Sequence, residues 1–432
     1  MIWVLIFSLL FIFTWVLSKK IFSTVKNPIS IFCLLWCLIG MGSNAAFYGY
    51  YEPSTTVNII ILIGCIVSFF TYGLSLQGYN KRFFVEQFKS RCDDVEIRRV
   101  MLVNVLCIII LIPYVIRSFN VLIAGGFSVL RSQNVIENGF LAILNDSVIR
   151  PVFTATTILA IVYSFSNAKR KHKIKLLILS IIVNIEQVIL SAGRAPLVNL
   201  VFYLIIALVL FYGKSIQSIL YRGRKYILFG AIMGIAVLKI TSQRSMASDE
   251  NIFLYNTYVY YFSGPAYLSQ LIKNVTSYGP GGKLLYGAAS FGFLSNIISD
   301  IFIFLTGKAQ GSLYLLGSVI SNNQYRIGVH TSINAMYTCF YPFLIDYGWI
   351  GIIICPLFIG IVSGILTKRL YKNQSSFNIC LYIYWIYVII RTVFKWDLVN
   401  IDFTVVTIIL YYFTKRKTFD DENISVRKDK VW

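Results

Sequence analysis

Near the C-terminal third of the chain, Gly328-Val-His330-Thr-Ser-Ile-Asn334-Ala-Met-Tyr337 gathers side chains suited to proton transfer and to holding a polar ligand. If the segment from Arg326 is helical, Arg326, His330, Asn334, Tyr337 and Tyr341 fall on one face. Histidine exchanges a proton near neutral pH, so His330 is the candidate general base. Asp346 and Asp249 are the carboxylates next in line. The other histidine, His172, stands in the basic run Lys169 to Lys175 and reads as solvated loop. A second chemistry is carried by Ser191-Ala-Gly-Arg194-Ala-Pro196, a tight turn between two apolar runs. Gly193 is expected to close the first helix in a left-handed conformation, and Pro196 to occupy the first turn of the next. The Arg194 guanidinium is then a planar donor fork beside a helix N-terminus, a combination suited to phosphate or pyrophosphate. A structural pair with Glu186, eight residues earlier, is the alternative. Arg244, in Ile240-Thr-Ser-Gln-Arg-Ser245, is expected to approach Arg194.

The elements that position these residues are membrane helices. The 432 residues are 57% hydrophobic and 13% charged, with mean hydropathy +0.72, which excludes a soluble globular domain. Backbone groups in hydrocarbon must be satisfied within the segment, so runs of about 20 apolar residues are read as helices. The expected fold is all-α and polytopic, with about eleven spans. Their apolar runs are 1–17, 29–48, 57–78, 100–124, 148–166, 176–191, 196–212, 226–240, 347–366, 377–390 and 401–413. The first is followed at once by Lys19-Lys20, the reverse of a cleaved signal peptide, so it is expected to be retained.

Alternate connections concentrate 27 of the 39 Lys and Arg, which by the positive-inside rule places them in the cytoplasm. The organisation is then 1–240 as N-terminal helices, 241–346 as one large outer loop, 347–413 as C-terminal helices and 414–432 as a cytoplasmic tail. The N-terminus falls outside, in the periplasm of a bacterial cytoplasmic membrane. The net charge of +21 follows from this asymmetry and from anionic lipid headgroups, so nucleic acid is not indicated as a partner. The twelve remaining basic residues lie at or near the outer side, and seven of them are arginine: Arg117, Arg131, Arg150, Arg194, Arg244, Arg326 and Arg391. Arg131 and Arg326 join the candidate anion-binding set. Lys395 belongs to the same outer group. Asp93-Asp94 falls on the cytoplasmic side, so neither a metal nor another cofactor is expected. The eight cysteines sit mostly in apolar runs without metal or disulfide spacing.

Within the outer loop, Tyr255 to Ile272 is rich in tyrosine and broken at Ser263-Gly264-Pro265, as expected of a pair of interfacial helices. Tyr261 is the candidate platform for a sugar ring. Leu284 to Leu305 carries Asp300 and two glycines and is expected to be re-entrant or to lie on the surface.

His330-Thr-Ser-Ile-Asn334-Ala-Met-Tyr337, followed by Asp346-Tyr-Gly348-Trp-Ile-Gly351 leading into a span, resembles the O-antigen polymerase (Wzy) family and, more distantly, the O-antigen ligases. The outer arginine turn and the large late loop look similar too. The resemblance implies a membrane glycosyltransferase that passes a glycan en bloc from undecaprenyl pyrophosphate to a lipid-linked repeat unit, building O-antigen or a capsule-like polysaccharide. Arg194 and Arg244 would stabilise the pyrophosphate leaving group and His330 would take the acceptor proton. Arg326, Asn334, Tyr337, Tyr261 and Arg131 would bind substrate. It also implies lipid-linked oligosaccharide, a chain-length regulator and a flippase as partners. Ligase, lipid-linked saccharide flippase and membrane acyltransferase remain as alternatives.

Overall fold

A computed structural model of the chain describes residues 1–78, 94–132, 144–213, 216–242, 251–274, 284–306, 324–329, 331–333 and 336–415. The chain enters with three helices, α1 (Ile2–Phe22), α2 (Pro28–Ala45) and α3 (Thr55–Ser75). Each start has a local cause. Asn27 caps α2 through its side chain on the Ser30 amide, Pro28 fills the first helical position, and Ser54 caps α3. Then come α4 (Asp94–Ser132), α5 (Arg150–Ser164), which continues a wide turn at Asn145–Ile149, α6 (Arg170–Ser191), α7 (Ala195–Tyr212) and α8 (Ile216–Ser242). Two shorter helices, α9 (Asn251–Phe262) and α10 (Gly264–Asn274), precede α11 (Gly292–Thr306). A small hairpin of β1 (Tyr325–Arg326) and β2 (Ser332–Ile333) leads to α12 (Phe340–Tyr347), α13 (Gly351–Lys372), α14 (Ser376–Arg391) and α15 (Asp402–Thr414).

The chain is an all-α polytopic membrane protein: among the described residues eight helices are long and apolar enough to cross a bilayer, and α14 and α15 are shorter apolar helices. Its exterior agrees. Leu5, Leu9, Ile12 and Val16 of α1 form an exposed stripe at helical spacing, as do Leu102, Leu106, Ile109 and Ile116 of α4. In water such stripes would drive aggregation; in lipid they are the solvent-facing surface.

At the centre stands α14, every residue of which from Ile379 to Ile389 is buried. It touches α2, α5, α7, α13 and α15. Trp385 of α14 donates to Ser363 Oγ of α13 over 2.9 Å, which satisfies the one polar atom of a large buried ring. Helices α3 and α13 approach closely, and the cause is Gly360 and Gly364, four residues apart on one face. A Cβ on Gly360 would lie 2.8 Å from the Ser68 carbonyl oxygen. This is the small-residue contact by which membrane helices gain van der Waals packing without a hydrophobic driving force.

Arg326 stands in a strand and not in a helix, so the expected helical stripe from Arg326 to Tyr341 is not continuous among the described residues. Tyr325 pairs with Ile333 and Arg326 with Ser332 in an antiparallel hairpin. Backbone bonds from Tyr51 to the Ile327 carbonyl (2.9 Å) and from Val329 to the Gly49 carbonyl (3.0 Å) pin it to the segment that follows α2. Val329, Thr331 and Ile333 suit an extended backbone, and Gly328 permits the close approach to Gly49. Leu284 to Leu305 resolves into a turn followed by α11, a helix of 15 residues lying against Asp397–Val399 and α15.

Candidate functional site

One polar cavity of about 400 Å³ lies where the ends of α5, α6, α7, α14 and α15 meet. Its floor is built from polar residues that each interrupt an apolar helix. Asn184 and Gln187 come from α6, Asn199 and Tyr203 from α7, and Tyr384 and Tyr387 from α14. These groups are tied to one another: Tyr387 Oη donates to Asn199 Oδ1 (2.5 Å), Asn184 Nδ2 to Thr157 Oγ1 (2.9 Å) and Gln187 Nε2 to Asn145 Oδ1 (3.3 Å). Side-chain amides and phenols fixed in this way are preorganised, so they hold a polar ligand at little entropic cost.

The charged lining comes from helix ends. Arg150 opens α5 and donates from Nη2 to both carboxylate oxygens of Asp402, at 3.2 and 3.1 Å, while its Nη1 lies 3.3 Å from Asp146. Arg391 ends α14, donates to Tyr387 Oη over 3.0 Å and lies 3.1 Å from Asp397 Oδ1. Lys395, in the turn that follows, is 3.7 Å from the same oxygen. Burial pushes the Lys395 amine down to about 8, with Arg391 adding to the fall and Asp397 opposing it. Asp397 stands behind the two cations, and its Oδ2 is buried without a hydrogen-bond partner among the described residues. Three cations thus face the cavity against two carboxylates, Asp146 and Asp402.

Arg194 belongs to the rim. Ser191, Ala195 and Pro196 of its turn line the cavity, and its guanidinium lies over the Tyr260 ring at 5.2 Å. Pro196 sits in the first turn of α7 as expected, but the left-handed residue that closes α6 is Ala192 (φ 45°), not Gly193. The pair between Arg194 and Glu186 is not made. Both Glu186 carboxylate oxygens are buried without a hydrogen-bond partner among the described residues, on the side of α6 near Cys107 of α4. Tyr261 is half-exposed beside the rim, with its ring 5.6 Å from that of Phe394.

The other candidates scatter. Arg326 donates to the carbonyls of Gly328 and Val329, so its fork braces the hairpin. Tyr337 is buried beneath the turn that carries Lys395, where Thr338 and Cys339 donate to the carbonyls of Phe394 and Thr392. Burial pushes its phenol pKa up; Asp397 adds to the rise and Arg391 opposes it. Asp346 is also structural. Its carboxylate accepts from the Ala289 amide (2.9 Å), the Ser290 amide (2.5 Å) and Ser290 Oγ (2.5 Å), and so fixes the turn before α11. His330, Asn334, Arg244 and Asp249 lie outside the described residues, as does the side chain of Arg131.

The cavity's main cations, Arg150, Arg391 and Lys395, stood in the outer basic set without being singled out. The signal that finds them is position: each lies within a few residues of an end of an apolar helix. Compared with known protein families, curated proteins and solved structures, the chain matches none.

Proposed function

We propose that the chain is a polymerase that joins undecaprenyl-pyrophosphate-linked oligosaccharide repeat units en bloc, with about eleven spans and the cavity at the periplasmic face of the bacterial cytoplasmic membrane. The observation that carries the reading is the cavity itself. Three cations from two helix ends, with Arg194 at the rim, converge on one partly enclosed polar space between membrane helices. Such a place suits a doubly charged pyrophosphate whose lipid tail stays in the bilayer. The basic connections, at the opposite ends of the same helices, put this end outside by the positive-inside rule.

In the proposed reaction an acceptor sugar hydroxyl attacks the anomeric carbon of the donor glycan. The bond from that carbon to the pyrophosphate oxygen breaks, and the lipid pyrophosphate leaves with the electron pair. Negative charge grows on the leaving group, so guanidinium contacts that strengthen as it departs lower the barrier, at about 2–4 kcal/mol for each well-aligned contact. Arg150, Arg391, Lys395 and Arg194 are assigned this task, with Arg244 kept from the sequence. The acceptor proton goes to a base, for which His330 is the candidate. Tyr260 and Tyr261 at the rim are assigned to sugar rings.

The deciding experiment supplies the purified protein, in lipid nanodiscs, with one lipid-linked repeat unit. A ladder of extended lipid-linked products supports the reading. Transfer to lipid A alone would make the protein a ligase, movement of substrate across the bilayer without bond formation a transporter, and no turnover of any kind would remove the enzymatic reading.

A further inference from the structure

Away from the polar cavity, α4 and α6 run side by side from a common end. The Lys169 amide donates to Asp94 Oδ1 over 3.3 Å and His172 Nδ1 lies 3.0 Å from the same oxygen, so the start of α6 is held at the start of α4. Between the two helices is an open groove of about 490 Å³. From α4 it is lined by Arg98, Met101, Leu102 and Val105. From α6 it is lined by Lys175, Ile178, Leu179 and Ile182. Each helix therefore contributes the same stripe, at i, i+3, i+4 and i+7, with a cation first and apolar side chains after it.

We propose that this groove is a binding site for an anionic glycerophospholipid, whose phosphate sits between Arg98 and Lys175 and whose acyl chain runs along the apolar stripe. Three observations carry it. Leu102, Val105, Ile178 and Ile182 are exposed on helices that span the bilayer, so the groove faces lipid. The stripe extends over roughly 10 Å of helix, enough for a substantial part of an acyl chain. Arg98 and Lys175 are the fifth and sixth residues of their helices, far from the C-terminal ends where the helix dipole would favour a cation, so helix stability does not account for them. Two carboxylates stand in the first turn of α4, Asp94 and Glu96, and Asp94 is already engaged by His172 and Lys169. Among the described residues neither Arg98 nor Lys175 has an ion-pair partner. Two cations at one end of an apolar groove complement the charge distribution of a phospholipid with a net negative headgroup. A zwitterionic lipid brings its own ammonium group to the same place and loses much of that attraction.

The test is native mass spectrometry of the full chain released from detergent, titrated with phosphatidylglycerol, phosphatidylethanolamine or inorganic phosphate. The expected result is tight retention of one phosphatidylglycerol, with phosphatidylethanolamine held at least about tenfold more weakly and inorganic phosphate not competing. Arg98→Gln with Lys175→Gln should weaken that phosphatidylglycerol about tenfold or more. Leu102→Trp with Leu179→Trp, which fills the groove and keeps both cations, should expel it too. If both double variants retain phosphatidylglycerol as the parent does, the site is elsewhere. Equal retention of phosphatidylethanolamine would reduce the groove to a generic lipid contact, and displacement by inorganic phosphate would make it a simple anion site. Should the Gln variant fail to fold, the Trp variant alone decides between retention and loss.

Discussion

Arg391 Nη1 lies 3.1 Å from Asp397 Oδ1, so the last side chain of the buried helix α14 is held by a carboxylate from the turn that follows it. The Asp397 side chain is 6% exposed and Lys395 shares the same oxygen. Removing one member of such a cluster leaves the others uncompensated in a poorly hydrated place. Asp397→Asn keeps the volume and loses the charge, and it is expected to lower stability by about 1–3 kcal/mol. Thermal unfolding of the purified protein in detergent checks this; an unchanged midpoint would mean that the pair behaves as a screened surface contact.

Gly360 makes a different kind of prediction, because its environment is backbone. A side chain there meets the Ser68 carbonyl and the Tyr72 amide of α3, neither of which can rotate away. Gly360→Leu should separate α3 from α13, costing about 3 kcal/mol or more, with loss of folded protein in the membrane fraction. Ile361→Leu, one residue on and facing outward, should be silent. Equal yields of folded protein from the two variants would argue against close α3–α13 packing.

The helices were legible because each is an apolar run bounded by charges or by a cap. Asn27-Pro28 and Ser54 mark starts, and the run from Phe377 to Ile390 has no polar stripe because α14 has no exposed face. Arg194 was legible because its turn is too short to place the guanidinium anywhere but at a helix junction. The hairpin at Tyr325–Ile333 was not, since its stability comes from pairing with Gly49 to Tyr51, nearly 280 residues earlier. The cavity escaped for a related reason. Asn145, Asn184, Asn199 and Tyr387 each read as one polar residue in an apolar run, and only the packing of α5, α6, α7 and α14 brings them together.

Lys395 gives the cavity a pH dependence whose sign follows from the direction of its shift. Burial holds its amine near 8, below the ordinary lysine value, so the charge is present at pH 7 and is lost as pH rises through about 8. Anion binding in the cavity should therefore weaken between about pH 7 and 9, by up to about tenfold for the loss of one cation. Lys395→Arg keeps the charge throughout and should flatten this profile, whereas Lys395→Gln should start weak and stay flat. Pyrophosphate binding by isothermal titration across that range makes the comparison. A parent profile that is flat from 7 to 9 would remove Lys395 from the anion site.

Arg194 is the sharpest test of the proposed reaction, because its two possible roles make opposite demands on a conservative change. Its turn lines the cavity and its guanidinium lies over the Tyr260 ring, 5.2 Å from the centroid. Lysine at this position keeps a positive charge above the aromatic face but loses the planar fork that matches two phosphate oxygens. If the role is leaving-group stabilisation, Arg194→Lys should accumulate to near-parental level and retain lipid-linked substrate, while its turnover falls at least about tenfold and nearer 10²–10³-fold if both fork contacts tighten in the transition state. If Arg194 serves only to anchor the α6–α7 turn against Tyr260, lysine should preserve much of that contact and turnover should stay near parental. Single-turnover chain extension by protein in nanodiscs, normalised to the amount folded, separates the two outcomes. Parental turnover in Arg194→Lys would leave the leaving-group role to Arg150, Arg391 and Lys395, with Arg244.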